Sequence, residues 1–226
     1  MHVWTVRLDA ARRSEPLHVL SRDERDRAAR YSHERTRRNF AVRRSALRLI
    51  LGSYAGLSPS AVLLTRVPGE KPFFVNSPAP AIQYSASSSE ALAVFAVTQS
   101  GRVGIDIESV GPFEGLRDVA QDVFAPGELA AILSEEAEAE RLAAFFSAWT
   151  RKEAVVKCEG RGVLGDLRLV NAPAFGGGLH DLDVAQGYAA AIACEQPSAT
   201  VIVLDGPLTL DELATKLAQT KELAAV

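Results

Sequence analysis

The sequence predicts an α+β protein in which helices followed by short strands occur twice along the chain. The first helical pattern, residues 21–54, precedes short apolar or alternating runs between residues 82 and 108. The second, residues 116–159, precedes further runs of this kind between 167 and 204. This order is typical of an α+β protein in which layers of helix and sheet bury each other's apolar faces. Gly111-Pro112 breaks the chain in the middle, which predicts a division into residues 1–110 and 111–226.

The first half is predicted to begin with a strand and two helices. Ser21, followed by Asp23 and Glu24, is a typical N-cap for the first helix. A glycine, at 52 or 56, should end the second. The predicted elements in order are a strand at 1–6, helices from 21 to about 31 and from about 34 to 54, a strand at 62–67, a turn at 68–72, and strands at 82–85, 91–98 and 103–108.

The second half is predicted to repeat this order loosely. Its elements are a helical region at 116–133, a helix from about 137 to 159, strands near 167–170, 188–195 and 200–204, and an amphipathic helix at 210–218. The run GRGVLG at 160–165 matches the dinucleotide fingerprint GxGxxG, but it follows a helix and leads toward a strand. That order is the reverse of a Rossmann site, so we reject this interpretation. The three glycines at 176–178 are expected to form a flexible loop.

Composition indicates a globular cytoplasmic protein. An apolar fraction of 47% is enough for a sizeable core. The first residues lack the layout of a signal peptide, and no apolar run approaches the ~20 residues that span a bilayer. We therefore expect no membrane contact. Cys158 and Cys194 show no metal-binding or redox spacing, so we expect both to be buried as small hydrophobes.

Charge is unevenly distributed along the chain. Residues 1–48 contain 13 arginines and 6 acidic residues, while the whole chain has a net charge of −3. A basic segment on an acidic body is compatible with nucleic-acid binding. The arginines, however, alternate with apolar residues and lack the interleaved aromatics of single-strand binders. The same charge can receive an acidic protein or a phosphate-rich cofactor, and we expect no nucleic-acid partner.

Two short motifs carry most of the functional information. The run VGIDIE at 103–108 is typical of a buried strand, and its carboxylates, Asp106 and Glu108, project to the same side. In WTRKEAVVK at 149–157, Trp149, Glu153 and Lys157 lie four residues apart on one helix face. Taken singly, these patterns also fit a solvated strand face and an ordinary surface ion pair.

Packing of this strand against this helix would bring three carboxylates and one ammonium group together. Oxygen ligands of this kind, with no histidine or thiolate nearby, suit a hard cation such as Mg²⁺ that shares its ligands with a phosphate. The two motifs therefore predict a magnesium site at a phosphate-binding cleft.

Together the motifs resemble the signatures of the Sfp-type 4′-phosphopantetheinyl transferases, an (I/V)GID(I/V)E strand and a WxxKEAxxK helix. The resemblance covers roughly residues 20–170. It implies a pseudo-duplicated fold with the active site between two similar halves, in a monomer. It further implies Mg²⁺-dependent transfer of 4′-phosphopantetheine from coenzyme A to a serine of an apo acyl or peptidyl carrier protein, with release of 3′,5′-ADP. The pathway, whether of fatty-acid, polyketide or non-ribosomal peptide synthesis, stays open.

The resemblance also implies roles for individual residues. Asp106, Glu108 and Glu153 would hold the Mg²⁺ ion. Glu153 is also the candidate for taking the serine proton, directly or through a water. Lys157 would neutralise charge on the diphosphate or the leaving group. Glu128 matches a further family acid, which either orders a metal-bound water or is a plain first-turn helix acid.

Coenzyme A carries several phosphate charges and needs a cationic pocket. Arg44 and Arg48 match the family pattern RxxxR, and Lys71 matches its GKP turn. With Lys157, these residues are the expected phosphate ligands. Most of the remaining arginines are expected to be exposed.

One segment departs from the family pattern FNLSHS, which we align with IQYSAS at 82–87. Gln83 takes the place of the asparagine, and Ala86 that of the histidine that contacts the 3′-phosphate. Ser85, Ser87 or a neighbouring arginine would have to compensate. Otherwise the protein would use coenzyme A poorly or accept analogues without the 3′-phosphate. The alternative is a catalytically silent relative that binds a carrier protein or a nucleotide without transfer.

Overall fold

A computed structural model describes residues 1–9, 17–65, 71–160 and 167–219 of the chain. Its elements in chain order are β1 (His2–Arg7), α1 (Arg22–Ala29), α2 (Glu34–Ala55), β2 (Gln83–Ser89), β3 (Leu92–Thr98), β4 (Val103–Ser109), α3 (Leu116–Val123), α4 (Pro126–Leu133), α5 (Glu138–Glu159), β5 (Gly178–Asp181), β6 (Tyr188–Cys194), β7 (Ile202–Leu208) and α6 (Leu210–Gln219). The predicted α+β class is confirmed.

The strands form two sheets. The first has the order β2-β3-β1-β7, in which β1 pairs antiparallel with β3 and parallel with β7. The second has the order β4-β6-β5 and is antiparallel throughout. Each sheet contains strands from both sides of residue 110. Strand β4 of the first half pairs with β6 of the second, and β7 of the second half pairs with β1 of the first. The division into 1–110 and 111–226 itself stays a prediction.

Four layers follow from the way the strand side chains alternate. One face of the first sheet, including Trp4 and Phe95, packs under α2 and α6. Its other face, including Val94, packs against Ile105 and Ile192 of the second sheet. The opposite face of the second sheet is covered by α5. The molecule is therefore built helix, sheet, sheet, helix, and β4 lies where the second sheet meets both β2 and α5.

Local signals fix the ends of the first helices as predicted. The Ser21 hydroxyl accepts from the backbone N–H of Glu24 at 3.2 Å, and the Glu24 carboxylate accepts from the N–H of Ser21 at 2.9 Å. This capping box satisfies two of the free N–H groups at the start of α1. Helix α2 ends at Gly56, whose φ of 66° is a left-handed conformation that glycine adopts without strain.

Three sequence-based predictions were wrong. The strand at 62–67 is reduced, over its described part, to one isolated bridge between Leu64 and Phe74. The strand near 167–170 is a short 3-10 turn, Leu167–Leu169. The glycine run at 176–178 leads directly into strand β5, which begins at Gly178. Residues 66–70, with most of the predicted turn, and residues 161–165 of the glycine-rich run lie outside the described residues.

The other predicted helices and strands are present with small changes in their bounds. The helical region at 116–133 is two helices, because the chain is extended at Phe124 and Ala125 before Pro126 starts α4. Cys158 and Cys194 are buried free thiols. No helix within the described residues has the length and apolar character needed to cross a bilayer.

Candidate active site

Strand β4 and helix α5 meet at Gly104. A Cβ at this position would lie 2.0 Å from the carbonyl oxygen of Ala154 and 2.3 Å from the amide nitrogen of Cys158. Both are backbone atoms of a helix, which cannot move away as a side chain could, so only glycine allows this close approach. Because strand side chains alternate, Asp106 and Glu108 then lie on the same face of β4, beside α5.

Asp106 and Lys157 form the centre of the site. Asp106 is only 2% exposed, and its Oδ1 accepts from Lys157 Nζ at 2.5 Å. The same oxygen accepts from the Ser87 hydroxyl at 2.7 Å, and Lys157 Nζ donates to Ser87 Oγ at 3.0 Å. Aspartate, lysine and serine thus form a closed ring of three charge-assisted contacts. The meeting of the two sequence motifs is confirmed at this point.

Glu108 and Glu153 complete the cluster of carboxylates. Burial raises the pKa of Glu108 and the neighbouring charges of Asp106 and Glu153 add to this, while the hydrogen bond from Ser89 and the charge of Lys157 oppose it. Burial also raises the pKa of Glu153; nearby Lys157 opposes this effect, and Asp106 adds to it. Burial is the largest cause of both shifts, and nearby carboxylates contribute to each. A cation bound among these side chains would oppose both effects.

The donor set fits a divalent cation. Asp106 Oδ2 is buried and, in the described parts of the chain, has no hydrogen-bond partner. Three carboxylates beside one ammonium group leave two negative charges, and carboxylate oxygens suit Mg²⁺. In the arrangement seen, no three His, Cys, Asp or Glu side chains of the described residues form a ready metal-binding group. Lys157 lies against Asp106 instead.

Alternate serines of β2 reach across to β4, and we call Ser85, Ser87 and Ser89 the serine ladder. Ser85 Oγ accepts from the backbone N–H of Ile105 at 3.1 Å. Ser87 donates to Asp106, and Ser89 donates to Glu108 Oε2 at 2.8 Å. Of these, Ser89 was not predicted as a site residue, although its spacing from Ser87 could have indicated it.

A cavity of about 410 Å³ lies at the far end of β2, and its lining mixes polar and apolar side chains. Within this lining Arg43 donates to the Ser88 hydroxyl at 2.9 Å. Arg35, also in the lining, pairs with Glu90 at 2.9 Å. Burial lowers the pKa of Arg43, and the nearby cations Arg44 and Arg27 contribute to this. The sequence analysis did not identify Arg43 or Ser88. Arg43 is adjacent to Arg44, and the sequence alone does not show which of the two faces the cavity.

Arg44 and Arg48, the predicted coenzyme A ligands, both bind Glu24 of α1. Arg48 Nε donates to Glu24 Oε2 at 2.6 Å, and its Nη1 donates to the carbonyl oxygen of Val62 at 2.9 Å. Arg48 is 3% exposed. Arg44 Nε donates to Glu24 Oε1 at 2.7 Å and keeps part of its side chain in solvent. The Arg48–Glu24 contact thus links α2 to α1, and Arg44 is the more exposed of the two arginines.

Lys71 lies in a smaller cavity, of about 150 Å³, near the start of β4. Its Nζ donates to the carbonyl oxygen of Val103. Burial lowers the pKa of Lys71 to about 8, and the nearby cations Arg102 and Lys157 contribute to this. Phe73 and Tyr84 add aromatic surface to the same cavity. Lys71 therefore lies near Lys157, in a cavity whose lining does not include the three carboxylates.

Lys152 and Glu128 form a buried pair. Lys152 is fully buried, and its Nζ contacts Glu128 Oε2 at 2.8 Å and the carbonyl oxygens of Leu167 and Val170 at 2.9 and 2.6 Å. Glu128 also accepts from the N–H of Ala125 at the start of α4. These contacts agree with the interpretation of Glu128 as a first-turn helix acid. Its alternative role in ordering a metal-bound water stays a prediction.

Ala86, which we aligned with the family histidine, packs against the hydrophobic cluster under α2. The next side chain on the same face of β2 is Ser88, which lines the larger cavity beside Arg43. Gln83 lies at the other end of the strand, in the cavity of Lys71. A polar group available to a phosphate on this face is therefore found at Ser88.

Comparison with known proteins agrees with these observations. The family model described as the 4′-phosphopantetheinyl transferase superfamily matches residues 102–193. The 4′-phosphopantetheinyl transferase HetI of Nostoc sp. is 33% identical over 166 residues, which cover 72% of this chain and 70% of HetI. The 4′-phosphopantetheinyl transferase AcpT of Salmonella typhimurium is 36% identical over 104 residues, 46% of this chain and 52% of AcpT.

A further relative carries a longer name. The L-aminoadipate-semialdehyde dehydrogenase-phosphopantetheinyl transferase of Eremothecium gossypii is 34% identical over 124 residues, 52% of this chain and 44% of the relative. The fold, the acidic strand and the lysine-bearing helix, taken with these matches, define the chain as a transferase enzyme. It belongs to the 4′-phosphopantetheinyl transferase superfamily.

Proposed function

We propose that this chain transfers the 4′-phosphopantetheine group of coenzyme A to a serine hydroxyl of an apo acyl or peptidyl carrier protein and releases 3′,5′-ADP. The observation that carries the proposal is the contact of β4 with α5 through Gly104. It brings Asp106 and Lys157 within 2.5 Å of each other, beside Glu108 and Glu153. The family to which the chain belongs supports the reaction type.

The carboxylates suit a metal-assisted displacement at phosphorus. A Mg²⁺ ion held by Asp106, Glu108 and Glu153 would act as Lewis acid and template for the diphosphate of coenzyme A. Glu153 would accept the proton of the carrier serine. Lys157 would stabilise negative charge on the leaving diphosphate.

Two cationic cavities are available to the phosphates and the base of coenzyme A. The larger has Arg35, Arg43 and Ser88 in its lining, and the smaller has Lys71 and Arg102. Guanidinium groups suit phosphate because they offer paired donors. Arg44, partly exposed beside Arg43, supports the same role better than Arg48, whose donors serve the fold. Direct phosphate contacts of Ser85 and Ser87 stay predictions.

Further features of the proposal rest on the family resemblance. We expect the partner to be a carrier protein from fatty-acid, polyketide or non-ribosomal peptide synthesis. A monomeric, cytoplasmic enzyme without a nucleic-acid or membrane partner remains our expectation.

Mass spectrometry tests the proposal directly. An apo carrier protein incubated with this chain, coenzyme A and Mg²⁺ should gain the mass of one phosphopantetheine group. The matched reaction with a carrier protein whose acceptor serine is replaced by alanine should give no gain. Binding of a carrier protein or of coenzyme A without any mass gain, across several carrier proteins, would favour the catalytically silent alternative.

A further inference from the structure

The serine ladder joins two strands that belong to different sheets. Strands β2 and β4 lie side by side, yet β2 is hydrogen-bonded through its backbone to β3, and β4 to β6. The contacts across the gap include those of Ser85, Ser87 and Ser89. We propose that Ser87 and Ser89 are positioning residues, which orient the carboxylates of Asp106 and Glu108 toward a divalent cation. This proposal rests on the proposed function of the site.

The hydrogen bonds of Ser87 have only one consistent direction. The Lys157 ammonium group can only donate, so Ser87 Oγ accepts from it at 3.0 Å. The single hydroxyl proton then points to Asp106 Oδ1 at 2.7 Å. Two donors thus hold Oδ1, and the carboxylate is fixed in orientation. Its other oxygen, Oδ2, is the buried atom that has no hydrogen-bond partner among the described residues.

Ser89 has the same arrangement one step along the ladder. The backbone N–H of Ser109 donates to Ser89 Oγ at 3.0 Å. The Ser89 hydroxyl proton is therefore directed to Glu108 Oε2 at 2.8 Å. One oxygen of Glu108 is held by β2, and Oε1 is the oxygen that remains to meet a cation. Each serine thus engages one oxygen of a carboxylate and leaves the other for a ligand.

Outer hydrogen bonds of this kind have a recognised effect on metal sites. A ligand that a hydrogen bond holds in one orientation loses less rotational freedom when an ion binds. In this proposal Asp106 Oδ2 and Glu108 Oε1 would hold the ion, so the serines, which donate to Oδ1 and Oε2, would not compete with it. The contribution of Ser89 should appear in cation affinity and not in the chemical step, whereas Ser87 also contacts Lys157.

Ser85 is a matched control within the same strand. It lies on the same face of β2 and also bonds to β4, but its partner is the backbone N–H of Ile105, with no carboxylate involved. Ser85→Ala removes a contact between the sheets and no contact to a ligand oxygen. It should lower stability without changing cation affinity.

Binding of Mn²⁺, which shares the preference of Mg²⁺ for carboxylate oxygen, supplies the readout. Electron paramagnetic resonance of the free ion measures its affinity for the whole protein without coenzyme A. We expect Ser87→Ala and Ser89→Ala each to weaken Mn²⁺ binding by about 10- to 100-fold, the usual cost of losing such a partner. Ser85→Ala should bind Mn²⁺ as the wild type does. Ser87→Thr and Ser89→Thr, which keep the hydroxyl, should restore most of the affinity.

Transfer assays separate this inference from the proposed function. In them, Ser89→Ala should need more Mg²⁺ for half-maximal rate and approach the wild-type kcat when Mg²⁺ is saturating. If the wild type transfers phosphopantetheine but all three alanine variants bind Mn²⁺ equally, the ladder is only structural and the inference fails. The inference also fails if the wild type binds no Mn²⁺. Tight Mn²⁺ binding without any transfer would contradict only the proposed reaction. Should Ser87→Ala not fold, the Ser89→Ala and Ser89→Thr pair decides.

Discussion

Gly104 lies so close to helix α5 that a methyl group there would sit 2.0 Å from the carbonyl oxygen of Ala154. The depth of this contact sets how near α5 comes to β4, and therefore how near Lys157 comes to Asp106. Attraction between the charged side chains alone could be met by many arrangements, because both side chains rotate. Backbone packing selects one of them. The active-site geometry thus depends on a residue that has no functional group.

Gly104→Ala should therefore damage both stability and activity. The added methyl group overlaps backbone atoms of α5, and overpacking of this kind costs about 1–3 kcal/mol of unfolding free energy. Urea unfolding measures that loss, and the transfer rate should fall as α5 shifts. Gly111→Ala is the control, since a Cβ there meets nothing within 4 Å. Equal stability of the two variants would show that the contact is looser than described.

Replacing Glu153 with glutamine should stabilise the protein when no divalent cation is present. Burial raises the pKa of Glu153 above its ordinary value of 4.5. The folded state then binds this proton more tightly than the unfolded state, so the wild type loses stability as pH rises from 4.5 through the folded pKa. Glu153→Gln removes that loss. Unfolding free energies at several pH values, with and without Mg²⁺, measure the difference.

Added Mg²⁺ should reverse the order of these two proteins. It should stabilise the wild type by binding the carboxylates and should do little for Glu153→Gln, which should also lose transfer activity. Asp183→Asn, which removes an exposed carboxylate far along the chain, serves as the control for charge alone. A Glu153→Gln protein that is much less stable than wild type at neutral pH, with or without Mg²⁺, would mean that Glu153 is structural.

The sequence predicted most helices because their signals are local. Ser21 and Glu24 form the expected capping box, and the glycine at 56 ends α2. Glu24 also binds Arg44 and Arg48, which lie twenty or more residues away in the sequence. No local sequence pattern indicates these contacts. The sequence therefore carried no sign that an internal carboxylate holds these arginines, and their contact with phosphate stays a prediction.

Strands were harder to predict because their partners are distant. The run at 167–170 has the apolar composition of a strand, yet carbonyl oxygens of Leu167 and Val170 turn inward to Lys152, which favours a turn. The pairing of β1 with β7 joins residues 200 apart, for which the chain gives no pattern. The carboxylate cluster was predictable because its strand and its helix each carry a complete motif.

The buried pair of Lys152 and Glu128 gives a prediction about stability. Glu128→Ala would leave a fully buried ammonium group without its counter-charge, which costs about 3–5 kcal/mol of unfolding free energy. Lys152→Met in the same protein should recover much of that loss, because methionine fills similar space without a charge. A double-mutant cycle by urea unfolding measures both effects.

The neighbouring residue Arg151 supplies the control for this pair. Its guanidinium group binds Asp181 on β5 through two nitrogens, and about half of each side chain is exposed. Asp181→Ala should therefore cost less than about 1 kcal/mol, as exposed ion pairs do. If Glu128→Ala were no more harmful than Asp181→Ala, Lys152 would be relaxing into solvent, and the pair would not anchor α4 to α5.

The larger cavity predicts a preference for coenzyme A over dephospho-coenzyme A. Ala86 at the position of the family histidine left open whether the two substrates are used similarly or another residue compensates, and Arg43 and Ser88 supply donors on the same face of β2. Arg43→Gln should raise KM for coenzyme A by about tenfold or more, the loss of one charge-assisted bond, and leave KM for the dephospho form nearly unchanged. Arg22→Gln, an exposed arginine of α1, controls for the general effect of charge. A wild-type enzyme with equal KM values for both substrates would show that the 3′-phosphate lies outside this cavity.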